Sequence, residues 1–215
     1  MDGTLRRDVK RSAAAPEMGL FMIKRLCVFC GSSVGKRPEY SDAARELGAL
    51  AAQKGIAIVY GGGRTGLMGA VADAALAAGG QVIGVIPEGL ATRELKHDGL
   101  TELHVVKSMH ERKAKMAELA DAFVALPGGL GTFEELCEIL TWSQLGIHSK
   151  ACGVLNTAGY FDLLLGLFNH AVNERFVRAD DRALVLDANE PVTLFKKINA
   201  FCPGTRTRWI GPVES

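Results

Sequence analysis

Residues Ala122-Phe123-Val124-Ala125-Leu126 run directly into Pro127-Gly128-Gly129-Leu130-Gly131-Thr132-Phe133-Glu134-Glu135. The first five form a short apolar run of the kind a buried strand requires, and the residues from Thr132 onward are patterned as a helix. A buried strand that ends in Pro and three glycines and then opens a helix leaves several backbone N–H groups unpaired and aimed at the turn, where they favour an anion. A phosphate suits that geometry. Thr132 and Glu135 stand three apart on the same helix face, with about 5–6 Å between Cβ atoms. Spacing alone thus sets a hydroxyl at the phosphate and a carboxylate one sugar-width away. A carboxylate beside a bound anion is electrostatically unfavourable unless chemistry requires it.

The same strand-then-helix order recurs on both sides of this segment. Strands are expected near 26–30, 56–60, 82–86, 102–106, 122–126, 152–155 and 183–186, and helices near 39–54, 66–79, 109–120, 132–146, 160–174 and 191–200. Such alternation predicts an α/β fold, a doubly wound parallel sheet of about seven strands flanked by helices. In such sheets ligands sit beyond the carboxyl ends of the strands. Two further glycine turns fall at that edge. Gly31-Ser32-Ser33-Val34-Gly35 follows the first strand, where Gly31 and Ser32 permit close backbone approach to a ligand. Gly61-Gly62-Gly63-Arg64-Thr65-Gly66-Leu67-Met68-Gly69 follows the second. Either turn taken alone is equally well read as a tight strand-to-helix connection; three at one edge favour a nucleotide-like ligand.

A positive charge is expected nearby. In Met109-His110-Glu111-Arg112-Lys113-Ala114-Lys115-Met116, helical spacing puts Met109, Arg112, Lys113 and Met116 on one face, so a guanidinium interrupts an apolar stripe. Arg is rarely buried without a partner. Three readings are open: a structural ion pair with Glu135 or Glu138, a stem that packs while its head reaches water, or a guanidinium set on the phosphate and the charge that develops beside it.

Composition excludes several other functions. The chain has 215 residues, 48% of them apolar, and a formal charge of +1 with acids and bases interleaved. One core in residues 23–215 is expected, with 1–22 a disordered extension, and no nucleic-acid-binding stripe is present. No apolar run reaches the ~18 residues of a membrane span, and residues 1–22 lack the apolar centre of a secretory signal, so a cytoplasmic protein without a membrane partner is expected. Five cysteines is an odd count for a disulfide framework. Cys27 and Cys30 are spaced C-x-x-C, but within a strand an odd separation sends them to opposite faces, so buried thiols are expected and not a metal or redox pair. The five histidines show no metal-ligand spacing. Neither a metal nor a cofactor is expected.

On these residues the chain resembles the LOG (LONELY GUY) family, the cytokinin riboside 5'-monophosphate phosphoribohydrolases long labelled lysine decarboxylases. The likeness runs from about Cys27 to Leu186 and includes Gly31-Ser32-Ser33, Gly61 to Gly69, Val82 to Pro87, Met109 to Lys113, P-G-G-x-G-T-x-x-E at Pro127 to Glu135, and Thr141 to His148. It implies a Rossmann-like homodimer that hydrolyses the N-glycosidic bond of a nucleoside 5'-monophosphate, releasing free base and ribose 5-phosphate. By position it implies Arg112 and Glu135 as the catalytic pair and Gly128, Gly129, Gly131 and Thr132 as the phosphate cradle. Glu94, Lys113 and Thr141 become further substrate contacts, and Gly31, Ser32, Gly62, Met109, Leu130 and Glu134 complete the candidate binding set. Two positions depart from the family pattern: Leu130 stands where an aromatic is usual, and Ala151 where proline is usual. Both a cytokinin nucleotide and a plain purine nucleotide such as AMP fit the resemblance.

Three other readings compete. A carrier of nucleotide or molybdenum cofactor, built on the same sheet, binds without hydrolysing. A nicotinamide-dependent oxidoreductase expects an acidic residue ~20 positions after its glycine turn, where this chain has Gln81-Val82-Ile83. An amino-acid decarboxylase needs a lysine set to hold pyridoxal phosphate. Leu140, Trp142, Leu145 and Ile147 serve either a dimer interface or the core.

Overall fold

The computed structural model describes residues 23–91 and 95–202. The anticipated N-terminal extension, 1–22, lies outside the described residues, as does Glu94. Seven strands form one parallel sheet: β1 (Arg25–Phe29), β2 (Ala57–Tyr60), β3 (Val82–Pro87), β4 (Glu102–Val106), β5 (Ala122–Ala125), β6 (Ala151–Leu155) and β7 (Val185–Ala188). Their spatial order is β4-β3-β2-β1-β5-β6-β7. The chain builds outward from β1 in one direction, then returns and builds outward from β5 in the other. The order reverses between β1 and β5, where Leu26 is level with Ala122 and Phe29 with Ala125. At the amino ends, Asp121 accepts from the Lys24 and Arg25 amides at 2.8 and 2.9 Å and holds that register.

Helices α1 (Pro38–Gln53), α2 (Gly66–Ala77) and α7 (Pro191–Ala200) cover one face, while α3 (Met109–Leu119), α4 (Leu130–Gln144) and α5 (Asp162–Asn173) cover the other. The strands alternate accordingly. Leu26, Val28 and Cys30 join the first core, and Cys27 and Phe29 the second, so the two thiols face opposite ways. Phe29 stacks on Phe123 with ring centroids 6.0 Å apart.

Most boundaries differ from the sequence expectation by one or two residues, and three of the shifts have an identifiable cause. The helix after the central glycine turn begins at Leu130, two residues early, because Leu130 and Gly131 occupy first-turn positions whose amides need no intrahelical partner. The fifth helix begins at Asp162; Ala158, at φ 52, interrupts the helical path and leaves Tyr160 in the turn that precedes it. A four-residue helix, α6 (Ala179–Arg182), displaces the last strand to Val185–Ala188. Leu140, Trp142, Leu145 and Ile147 are half-buried, the first two against the second core. Among the described residues the most exposed large apolar side chain is Leu163 on α5, 90% exposed. Among the described residues no helix is long and apolar enough to cross a membrane.

The first two helices pack closely through small residues. A Cβ on Gly48 of α1 would lie 2.3 Å from the Val71 carbonyl oxygen of α2. Alanine raises helix propensity by about 1 kcal/mol over glycine, but overpacking against a backbone atom costs about 1–3 kcal/mol. Gly48→Ala is therefore expected to lower the denaturation midpoint in urea; a variant as stable as the parent would show that the two helices separate freely.

Candidate active site

The three glycine turns are joined backbone to backbone. The Gly31 amide donates to the Pro127 carbonyl at 3.0 Å, and the Gly31 carbonyl accepts from the Leu67 amide at 3.0 Å, so one residue ties the turn after β1 to those after β5 and β2. No side chain fits between them. A Cβ on Gly128 would stand 2.1 Å from Thr132 Oγ1 and 2.8 Å from the Gly31 nitrogen. Beside this junction lies a cavity of about 290 Å3 lined by Gly31, Ser32, Tyr40, Gly128, Gly129 and Tyr160.

Helix α4 starts at the junction. Gly129 is its N-cap and supplies no side-chain cap, so the amides of Leu130, Gly131 and Thr132 lack intrahelical partners and present the positive end of the helix dipole. Thr132 and Glu135 lie on the inward face and are both buried. Leu130, on the opposite side, is 86% exposed. The aromatic usual at that position is therefore replaced at the surface, while Ala151 is buried at the start of β6.

Helix α3 brings the cations. Its start is set by Ser108, whose hydroxyl accepts from the Glu111 amide at 3.1 Å, while the Glu111 carboxylate reaches back to the Lys107 amide at 2.8 Å. This is a variant of the capping box in which the carboxylate takes the amide one residue before the N-cap, and it is legible in the sequence as Ser108-x-x-Glu111. It phases the helix so that Arg112 and Lys113 face α4. Arg112 Nε donates to the Val85 carbonyl at 3.1 Å, and Nη1 donates to Glu135 Oε1 at 2.8 Å. The guanidinium abuts the second glycine turn, where a Cβ on Gly61 would be 2.1 Å from Nη2. Of the two glutamates open to Arg112 in the sequence, it pairs with Glu135.

Burial pushes the Glu135 carboxyl above the usual glutamate range, and the Arg112 charge opposes that rise. The side chains are 8% and 12% exposed, respectively, so the pair sits in a region of low polarity. Among the described residues no donor bonds the second carboxylate oxygen, Oε2. Below it, burial and then the Glu135 charge raise the thiol pKa of Cys27 and Cys30, so both remain protonated apolar filler.

Lys113 is buried with its ammonium between Glu134 and Glu138. Burial acts to lower its pKa, but hydrogen bonds to the two glutamates outweigh that and hold it above the ordinary lysine value. Three carboxylates, Glu134, Glu135 and Glu138, thus face two cations, Arg112 and Lys113, which leaves a surplus of negative charge one helical turn beyond the glycine turn at Gly128.

The structure brings together Gly31, Ser32, Gly128, Gly129, Gly131, Thr132, Arg112 and Glu135, with Lys113, Glu134 and the half-exposed Met109 at one side. Gly62 is buried against Ile86 and Gly84, with its carbonyl taken by the His97 amide, so it packs within the protein. Thr141 lies nine residues past Thr132, about 13.5 Å along the helix axis, and its hydroxyl donates to the Cys137 carbonyl at 2.8 Å. It does not reach the Gly128–Gly131 turn of its own chain. Sequence reasoning missed Val85, whose carbonyl carries no side-chain signal, and Tyr160, whose hydroxyl donates to the Gly128 carbonyl. Among the described residues no three His, Cys, Asp or Glu side chains cluster as a metal site.

Comparison with known proteins agrees with this architecture. Among solved structures, the molybdenum cofactor binding protein from Rippkaea orientalis superposes with a TM-score of 0.64 at 22% identity, over 84% of this chain and 98% of that one. The molybdenum cofactor carrier protein from Chlamydomonas reinhardtii gives 0.64 at 23% identity, over 82% and 98%. At that distance they establish the fold alone. Sequence relatives are much nearer. The chain is 48% identical over 180 residues to the cytokinin riboside 5'-monophosphate phosphoribohydrolase LOG of Oryza sativa subsp. japonica, covering 84% of this chain and 74% of that protein. It is 48% identical over 180 residues to LOG1 of Arabidopsis thaliana, which carries the same activity in its name, with 84% of each chain covered. Residues 68–198 match the protein family described as "Possible lysine decarboxylase". With that match and two plant relatives at nearly half identity across most of its length, the chain belongs to the LOG family.

Proposed function

We propose that this protein hydrolyses the N-glycosidic bond of cytokinin riboside 5'-monophosphates, with AMP as a further substrate, releasing free base and ribose 5-phosphate. The observation that carries the proposal is the buried Arg112–Glu135 pair one turn of α4 from an amide-lined phosphate turn. The 5'-phosphate docks on the amides of Gly129 to Thr132, and the ribose extends along α4 so that its anomeric carbon faces Glu135. Cleavage of the ribosyl C–N bond sends the bonding electrons onto the base and builds positive charge on the sugar, as in glycoside hydrolysis. The excess of carboxylate around Arg112 and Lys113 stabilises that charge. Glu135 binds a ribose hydroxyl through its open oxygen and orients the water whose oxygen bonds to the anomeric carbon; the proton that this water gives up balances the N–H formed on the released base. Arg112, permanently charged, holds Glu135 ionised and in place; it is no proton donor.

Decarboxylation fits these residues poorly. A lysine that forms a Schiff base must be free to lose its proton, whereas Lys113 is held charged by two glutamates. Lys150, whose pKa burial lowers, precedes β6 at the amino edge of the sheet and donates to the Ala117 carbonyl at 2.7 Å, away from the turns. The carrier reading is separated from hydrolysis by incubating the protein with AMP and with isopentenyladenosine monophosphate and looking for free base by chromatography. The homodimer belongs to the same proposal, with the half-buried row Leu140, Trp142, Leu145 and Ile147 as its face; a monomer mass in sedimentation at micromolar concentration would remove it.

Glu135→Gln keeps an acceptor for Arg112 and removes the charge. Loss of one positioned electrostatic group typically costs ~10²–10³ in turnover, so the variant is expected to bind substrate and lose most base release. Near-normal release would take Glu135 out of the mechanism. The pH profile gives a second check. Because burial raises the Glu135 pKa and the reactive form is the carboxylate, kcat/KM should fall as pH drops through a value above that of an ordinary glutamate. Arg112→Gln removes the opposing charge, so its acidic limb should move to higher pH; a limb that stays in place would show that another group titrates.

A further inference from the structure

Tyr160 is absorbed by no role described so far, yet it touches the centre of the phosphate turn. It lies between β6 and α5 at the carboxyl edge of the sheet, and its hydroxyl donates to the Gly128 carbonyl, 32 positions away in sequence. The ring is held on several sides. It meets Tyr40 edge-on at 5.5 Å and Phe161 edge-on at 5.1 Å, and stacks on Phe133 at 6.3 Å. Such contacts leave a phenol little freedom to swing away from its acceptor.

The turn that carries Tyr160 is itself tightly specified. Asn156 is buried; its amide donates to the Ala188 carbonyl at 2.7 Å, its Oδ1 accepts from the Phe161 amide at 2.7 Å, and its Nδ2 donates to Asp162 Oδ1 at 2.7 Å. Between these anchors Ala158 is held at φ 52 and ψ 29, a left-handed conformation that alanine avoids. A strained backbone persists only where its surroundings over-determine it. Here the surroundings direct the next turn residues so that Tyr160 reaches Gly128.

The consequence follows from the geometry of one peptide unit. In a planar trans peptide the C=O and the following N–H point in opposite directions. With the Gly128 carbonyl bonded to Tyr160, the Gly129 N–H must point away from Tyr160. Among the described residues that N–H has no acceptor, and Gly129 is exposed at the start of α4. A Gly-Gly unit has no Cβ to oppose rotation of the peptide plane, so the direction of this donor depends on what holds the carbonyl. We infer that Tyr160 is a positioning residue that locks the Gly128–Gly129 peptide with its N–H facing the substrate's 5'-phosphate. The inference rests on the proposed docking of a nucleotide phosphate at this turn.

Tyr160→Phe removes one oxygen and leaves the ring contacts in place. Loss of one oriented hydrogen bond to an anion corresponds to about a tenfold change in affinity. The variant is expected to unfold within a few degrees of the parent, to show a KM for AMP raised about tenfold with kcat within about twofold, and to bind inorganic phosphate correspondingly less well. Binding of adenosine, which lacks the phosphate, should be unchanged. Equal weakening of AMP and adenosine, an unchanged KM, or a loss confined to kcat would overturn the inference. Should the variant not fold, the parent protein supplies the test: titration with inorganic phosphate should shift the Gly129 amide proton downfield, and an unmoved Gly129 resonance beside shifted neighbours would overturn it. Failure of the parent to release base from any nucleotide counts against the hydrolase, not against the lock, which the phosphate titration reads independently.

Discussion

Where β1 and β5 end, two backbones approach so closely that a Cβ on Gly128 would clash and one on Gly31 would stand only 3.1 Å from the Gly128 Cα. The Gly31 amide meets the Pro127 carbonyl, and Gly128 is enclosed by Thr132 and the Gly31 nitrogen. This contact fixes where α4 begins, because the helix leaves directly from the turn that Gly31 holds. The direction of the open amides, the inward phase of Thr132 and Glu135, and the side from which α3 must approach all depend on it. Parallel sheets generate such a place wherever strand order reverses. In this protein glycine and one proline convert it from a gap between loops into a rigid cradle.

The second constraint is electrostatic. A buried ion pair is seldom retained for stability, since desolvation cancels most of what the attraction supplies. Arg112 and Glu135 are nevertheless buried together, anchored to the Val85 carbonyl and resting on Gly61. The arrangement makes sense as a device for holding a carboxylate ionised in a dry setting. Burial alone would protonate it, water alone would weaken its field, and a guanidinium at 2.8 Å resolves the conflict. Lys113 repeats the pattern with Glu134 and Glu138, so α3 and α4 are closed upon each other by charge.

Relatives of this fold bind quite different ligands, and the sheet does not choose among them. The difference lies in what α3 and α4 present to the cradle. A phosphate turn by itself supports carriage as well as catalysis; a carboxylate pinned beside it favours bond cleavage at the adjacent sugar.

The amino-acid sequence by itself determined the alternation of strands and helices, the three glycine turns at one edge, and the shared face of Thr132 and Glu135. Each of these is a local property, settled by residues within one or two turns of one another. It also placed the two thiols of Cys27 and Cys30 on opposite faces, because strand periodicity acts over such short distances. Only the tertiary structure decided that Arg112 pairs with Glu135 and Lys113 with Glu138, that Gly62 is buried packing, that Thr141 is out of reach of the turn, and that Tyr160 holds the Gly128 carbonyl. These contacts join positions 23 to 32 residues apart, or set a helix's far end against its start. Which side chain meets which across that distance is set by strand order, and no local pattern encodes that order.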